Sequence, residues 1–545
     1  MSKPESLESG LRAVPVRPDS VAANAHAVSA TPPSAAPRTR VFKLNRRSFL
    51  VKTALGTAAA LSAGKSSGVL GANDAVRVGV VGLHGRGQSH IYQAIRMPGF
   101  RLAALCDVDP ALLGQNVEKA KADGHPVRGF KDVRDLIASK EIDALTIATP
   151  NHWHALATIW ACQAGKDVFV EKPVSHNVSE GRQMVEAARR YGRMVQAGTQ
   201  ARANPDLIEA VAWVRAGNLG KIRYARGTCY KPRMSIGKVG KGEIPPGLDY
   251  DLWTGPAPLK PLTRERLHYD WHWIYDYGNG DLGNQGIHEV DIARWFLGYS
   301  ALAPRVISVG GRLGYDDDGQ TPNTQLVCHA YDGPPLLFEV RGLPKSQEYQ
   351  ASASLWGKNM DMLDGSWGEG SGEQGIGVEV VGEGGRMIVV SGGYLIVALD
   401  PSGKVIRRFD QEASPYGRGW GKGDHFHWTS WLEAIRTRDP RKLTADILEG
   451  HISSGLCHTA LISHRLGERL PLGRIRQEVR DDPLPAGRFD AFCDHLARNG
   501  MDLEKQEATL GARLTLDPKA ERFLGNAGAD ALLTRAGRPP FVASL

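Results

Sequence analysis

Val76-Arg-Val-Gly-Val-Val-Gly-Leu-His-Gly-Arg-Gly-Gln88 is the stretch that decides the fold. Its first residues are β-branched or small apart from Arg77, as in a strand buried on both faces. Gly82, Gly85 and Gly87 then fall within six residues, where a chain turns tightly and lets another body approach its backbone. Gln88 to Met97 reads as a helix. Outward from there the alternation continues: a strand over Arg101–Asp107, a helix over Asp109–Ala122, a strand over Asp143–Thr149, a helix over His154–Ala164 and a strand over Asp167–Val170. Strands alternating with helices at this spacing imply right-handed βαβ units and a parallel, doubly wound sheet.

The glycine-rich loop has a chemical meaning. A loop that seats a dinucleotide needs one glycine for the turn, one for close approach of the pyrophosphate and one for helix packing. Gly82 and Gly87 fit the first and third places; His84 stands in the second, with Gly85 and Arg86 after it. Asp107 ends the next strand about 20 residues on, as the motif requires. A carboxylate there accepts hydrogen bonds from a ribose and repels a 2′-phosphate, which favours NAD. NADP stays open, because Arg86 lies near enough in sequence to offset some of that repulsion.

The length of 545 residues calls for two folded domains with appendages. A net charge of +8 would suit a nucleic-acid partner. Its distribution argues otherwise. Residues 1–72 hold ten Lys and Arg and three acids, +7 in all, so the rest of the chain is near neutral. Residues 1–40 are rich in Ser, Ala and Pro and read as a disordered leader. In 41–72, Arg46-Arg47-Ser48-Phe49-Leu50 precedes a weakly apolar stretch interrupted by Gly56, Gly64 and Lys65. This resembles a twin-arginine export signal, implying the export machinery as a partner, an exported or periplasmic location and no stable membrane span. None of the six cysteines forms a C-x-x-C pair, and His425, His427, His451 and His458 lack carboxylates at ligand spacing, so no metal site is expected.

Two further segments carry a family resemblance. Ala148-Thr149-Pro150-Asn151-His152-Trp153-His154 and Val170-Glu171-Lys172-Pro173 close successive strands. They resemble the T-P-x-x-x-H loop and E-K-P motif of the Gfo/Idh/MocA oxidoreductases, typified by glucose–fructose oxidoreductase and inositol dehydrogenase. The resemblance implies an N-terminal Rossmann domain (73–202) and an α+β domain (203–465) with a large open, mainly antiparallel sheet. An insertion (466–508) and a C-terminal tail (509–545) follow. It also implies a homo-oligomer, an NAD cofactor touched by Gly82, His84, Gly85, Arg86, Gly87, Asp107, Thr149, Pro150, Asn151, His154, Glu171 and Lys172, and a sugar, inositol or related polyol as substrate.

Oxidising a secondary alcohol needs a base for the hydroxyl proton while hydride leaves carbon. Lys172 is one candidate. His288 is the other, but where the family holds an Asp four residues earlier this chain has Asn284. Asp291, one turn after His288, is expected to compensate or to touch substrate. Trp271, Trp273 and Tyr275 belong to an aromatic and acidic cluster suited either to stacking on a sugar ring or to building a buried loop. The alternatives are an NAD-dependent glycosidase or lyase working by transient oxidation, and a non-catalytic binding protein for sugar or cofactor.

Overall fold

In the computed structural model, the structure describes residues 75–314, 316–344, 346–348, 375–390, 392–410, 414–480 and 486–543. The arginine pair and its apolar stretch lie outside them, as do the rest of 1–72. Among the described residues no helix is long and apolar enough to cross a membrane.

The first domain is a six-stranded sheet, β1 (Val76–Val81), β2 (Phe100–Cys106), β3 (Arg128–Phe130), β4 (Ala144–Ile147), β5 (Asp167–Val170) and β6 (Val195–Ala197), in the order β3-β2-β1-β4-β5-β6. All its pairings are parallel. Buried aliphatic side chains line both faces of β1, β4 and β5, which is why these strands read as unbroken apolar runs. Helices α1 (Arg86–Arg96), α2 (Pro110–Ala122), α3 (Val133–Ala138), α4 (Asn151–Gln163) and α5 (Val178–Arg190) connect the strands. The strand order reverses between β1 and β4, opening a crevice at their carboxyl ends. The sequence pattern had not marked β3 or α3, which are only three and six residues long. Such elements are too short to show a period.

Among the described residues the second domain holds a 12-stranded sheet, ten strands in one path and two, Leu514–Asp517 and Arg522–Phe523, off it. Its path runs β14 (Val405–Arg408), β13 (Leu395–Leu399), β12 (Gly385–Val390), β11 (Ile376–Gly382), β7 (Ile222–Tyr230), β10 (Leu336–Arg341), β9 (Thr324–Ala330), β8 (Arg305–Gly311), β16 (Glu507–Leu510) and β15 (Glu468–Pro471). Among the described strands of this sheet only β7 and β10 pair in parallel. Residues Gly286–Leu297 form α6, the helix packed on β7 and β11, and Ile447–Arg465 form α8 behind it. Between these two in the chain lies α7 (Trp420–Thr437), whose Trp428 and Trp431 pack on Phe169 and Phe100 of the first domain. Residues 468–510 add β15 and β16 to the sheet edge and fold two helices over its other face. There Leu472, Ile475, Phe489 and Phe492 cover Ile307, Val309, Leu326, Cys328 and Leu337. The tail returns to the body of the protein: Arg535 donates to Glu180 and the His152 carbonyl of the first domain, and Arg538 to the Gly255 carbonyl and Asp251 beyond it. All six cysteines are buried.

Candidate active site

The crevice is a cleft of about 260 Å³. Gly82 closes β1 with φ +82°, and a β-carbon there would lie 2.7 Å from the Ala148 carbonyl oxygen. At Gly87 a β-carbon would collide with the Gly82 carbonyl, so helix α1 can sit this close to β1 only without a side chain at that position. Gly85 is different: a β-carbon there would meet nothing within 4 Å, leaving its backbone open to the cleft. No side chain caps α1, so its N-terminus presents backbone donors to an anion. Asp107 accepts hydrogen bonds from the amides of Leu83 (2.8 Å) and Asp109 (3.0 Å). Burial raises its pKa, and those two amides pull it back. The loop, the open Gly85 and the oriented carboxylate together fit a dinucleotide: pyrophosphate on α1, ribose at Asp107.

Thr149, Pro150 and Asn151 form the second wall, and His154 bridges it to the third. Its ring nitrogens lie 2.7 Å from the Thr149 and Pro173 carbonyl oxygens. Burial lowers its pKa, while the two carbonyls, both acceptors, favour the protonated ring. His154 therefore fixes the spacing of two loops.

Glu171 and Lys172 end the cleft. Glu171 is 4% exposed and accepts from Arg86 Nε (2.7 Å) and His90 Nε2 (3.0 Å). Burial alone would raise its carboxyl, yet Arg86 and His90 hold it well below the usual range. Arg86 also donates to both oxygens of Asp424, at 2.7 and 3.2 Å. Lys172 Nζ donates to the Asn284 carbonyl oxygen (2.7 Å), and burial lowers the lysine pKa.

Beyond Lys172 lies a second cavity of about 270 Å³, lined by Arg86, Glu171 and Lys172 together with Gln200, Gln285, His288, Ile376, Trp420 and Asp424. Lys172 borders both spaces. His288 packs its ring 4.6 Å from that of Trp420, and burial beside Lys172 drives its pKa down to about 3. Next to it, Glu289 is 1% exposed, and burial pushes its carboxyl well above the usual range despite a hydrogen bond from Gln285.

The structure brings together Gly82, His84, Gly85, Arg86, Asp107, Thr149, Pro150, Asn151, His154, Glu171, Lys172, Asn284 and Trp271 around the first cleft, and His288 with Lys172 around the second. Gly87 serves in packing alone. Four expectations need correction. Asp291 supports neither His288 nor a substrate: it is fully buried, accepting from Arg202 Nε (2.8 Å) and Ser453 Oγ (2.7 Å). Trp273 is 1% exposed and lies under Arg312, in a small core with Leu262 and Tyr277. Tyr275 lines a separate cavity with Arg465 over its ring at 4.9 Å. Arg86 turns inward to two carboxylates, so its charge is already engaged and does not relieve a 2′-phosphate at Asp107. The cluster is thus mostly a buried loop, from which Tyr269, Trp271 and His272 face the cleft. The sequence reading missed Gln200, Gln285, Trp420 and Asp424. Asp424 stands immediately before His425-Phe426, but nothing in its own neighbourhood marks it. His427, His451 and His458 bond the Ala197 carbonyl, Glu521 and Ser175.

Comparison with known proteins agrees with this geometry. Residues 76–199 match the model of the oxidoreductase family with an NAD-binding Rossmann fold, and residues 224–349 that of the family's C-terminal α/β domain. Both are models of the Gfo/Idh/MocA oxidoreductases, which the chain resembles over these two segments. Among curated members, a glycosyl hydrolase family 109 protein of Shewanella pealeana is 30% identical over 203 residues, 33% of this chain and 44% of that protein. An inositol 2-dehydrogenase of Rubrobacter xylanophilus is 29% identical over 230 residues, 42% of this chain and 54% of that protein. The chain spans about half the length of these curated relatives. A levoglucosan dehydrogenase solved with NADH shares the fold at a TM-score of 0.51 and 18% identity, over 71% of this chain and 96% of its own.

Proposed function

We propose that this protein is a Gfo/Idh/MocA oxidoreductase that transfers hydride between NAD and a secondary alcohol of a sugar, inositol or related polyol. The observation that carries the reading is Lys172, whose side chain stands where the dinucleotide cleft meets a second cavity floored by Trp420 and edged by amides. NAD, when bound, supplies the hydride acceptor or donor. The chain's own residues do the rest. Lys172, desolvated and aimed by the Asn284 carbonyl, takes the hydroxyl proton in oxidation and returns it in reduction. His288 has a pKa of about 3 and is neutral near pH 7. It can orient a hydroxyl but holds a released proton poorly, which supports Lys172 as the base. Trp420 offers a ring face, and Gln200 and Gln285 offer amide donors and acceptors for hydroxyl groups.

The charges around the second cavity support a neutral substrate, because Arg86 is matched by Glu171 and Asp424. Absorbance at 340 nm during addition of sugars and inositols tests the reading. Lys172→Ala should abolish turnover while NAD stays bound; undiminished turnover would refute the role of Lys172.

The likeness to a family 109 glycosyl hydrolase favours one second reading, in which transient oxidation permits elimination of a leaving group and the hydride then returns. Release of aglycone with no net rise at 340 nm would establish it. The twin arginines support export of the folded, loaded protein, and a tightly held cofactor suits a compartment poor in free NAD. Homo-oligomers paired through the second-domain sheet complete the proposal. Export is tested by replacing Arg46 and Arg47 with Lys, and assembly by light scattering.

A further inference from the structure

Arg86 opens the helix whose N-terminus faces the dinucleotide cleft, where a free guanidinium would be expected to meet phosphate. It points away instead. Its Nε reaches Glu171 at 2.7 Å, and its other nitrogens reach Asp424 at 2.7 and 3.2 Å. His90, one turn later on the same helix, donates to Glu171 at 3.0 Å. Three distant segments meet here: the glycine-rich loop, the end of β5 and the first turns of α7. Glu171 and Asp424 are shielded, with side-chain exposures of 6% and 15%. Salt therefore screens these pairs weakly. Asp424 lies outside both segments matched to the family models.

We propose that Arg86 and Asp424 form a clasp that retains the dinucleotide. The inference rests on the reading that the cleft holds NAD. The Arg86–Asp424 pair ties the loop and helix start that would bear the pyrophosphate to α7, so weakening the pair loosens the seat of the dinucleotide. Both are positioning residues: they act through the loop backbone. The clasp also forms the partition between the two cavities, since Arg86 lines both.

The test is the rate of NADH release, followed by fluorescence after the NADH-loaded protein is chased with excess NAD, without substrate. Charge-assisted hydrogen bonds of this kind correspond to about a tenfold to hundredfold change in rate. Asp424→Asn should speed release by that factor. Asp424→Glu, which keeps the carboxylate, should restore most of the retention, and Arg86→Gln combined with Asp424→Asn should release no faster than the quicker single variant. Unchanged release in Asp424→Asn, or equal acceleration in Asp424→Glu, overturns the clasp. A wild-type protein that takes up no NADH overturns the dinucleotide reading and the clasp together; uptake with equal release rates overturns the clasp alone.

Discussion

Replacing Asp291 with Asn should destabilise the protein without loosening its hold on substrate. Asp291 accepts from Arg202 Nε at 2.8 and 3.0 Å and from Ser453 Oγ at 2.7 Å, with Arg294 at 3.6 Å. Removing one partner of a buried pair costs about 3–5 kcal/mol, because the other charge is left without its counterion. Arg202 keeps Glu449 at 3.1 Å, which places the loss near the lower end, about 3 kcal/mol. For a cooperative unit of about 250 residues, an unfolding entropy near 2 cal/mol/K per residue turns that into a fall in Tm of about 6 °C. Burial works to raise the Asp291 carboxyl, but Arg202 and its other donors hold it below the usual value. Its contribution is therefore present above the unfolded-state pKa and lost as pH falls through the lower folded value. The Asn variant should show its full deficit at pH 7 and converge on the wild type in acid. Calorimetry across pH measures this, with KM determined well below both melting temperatures. An unchanged Tm together with a KM raised tenfold would refute the reasoning and return Asp291 to the substrate site.

The oxidation rate should rise with pH and level off below 10.5, because burial lowers the Lys172 pKa and its neutral amine is the base; His288 should add no inflection between pH 5 and 8, which a kcat/KM profile checks. Gly87→Ala should abolish dinucleotide binding in calorimetric titration, since its β-carbon would strike the Gly82 carbonyl and push α1 off β1. Phe489→Ala, emptying a 1%-exposed site under the sheet, should cost about 3–5 kcal/mol in denaturant unfolding while leaving NAD affinity unchanged.

The first domain was legible because its signals are local. A strand, a glycine turn and a helix follow one another within Val76–Arg96, and Asp107 must end the next strand for the motif to work. The same holds for Thr149-Pro150-Asn151 and Glu171-Lys172-Pro173, each fixed by its place at a strand end. Short elements escaped, as β3 and α3 did. So did the aromatic cluster around Trp273, whose composition suits a core as well as a sugar platform; only Arg312 above it and Leu262 beside it decide.

Sequence by itself determined the doubly wound first domain, the dinucleotide loop and the identity of the lysine at its end, because each depends on residues close together in the chain. Only the tertiary structure decided that Arg86 faces inward, that Asp291 is committed to Arg202, and that Trp420 and Asp424 wall the second cavity. Those assignments pair side chains separated by 89 residues for Arg202 and Asp291 and by 338 for Arg86 and Asp424. No local pattern encodes such partners, since a buried charge is satisfied by whichever opposite group the fold delivers to it.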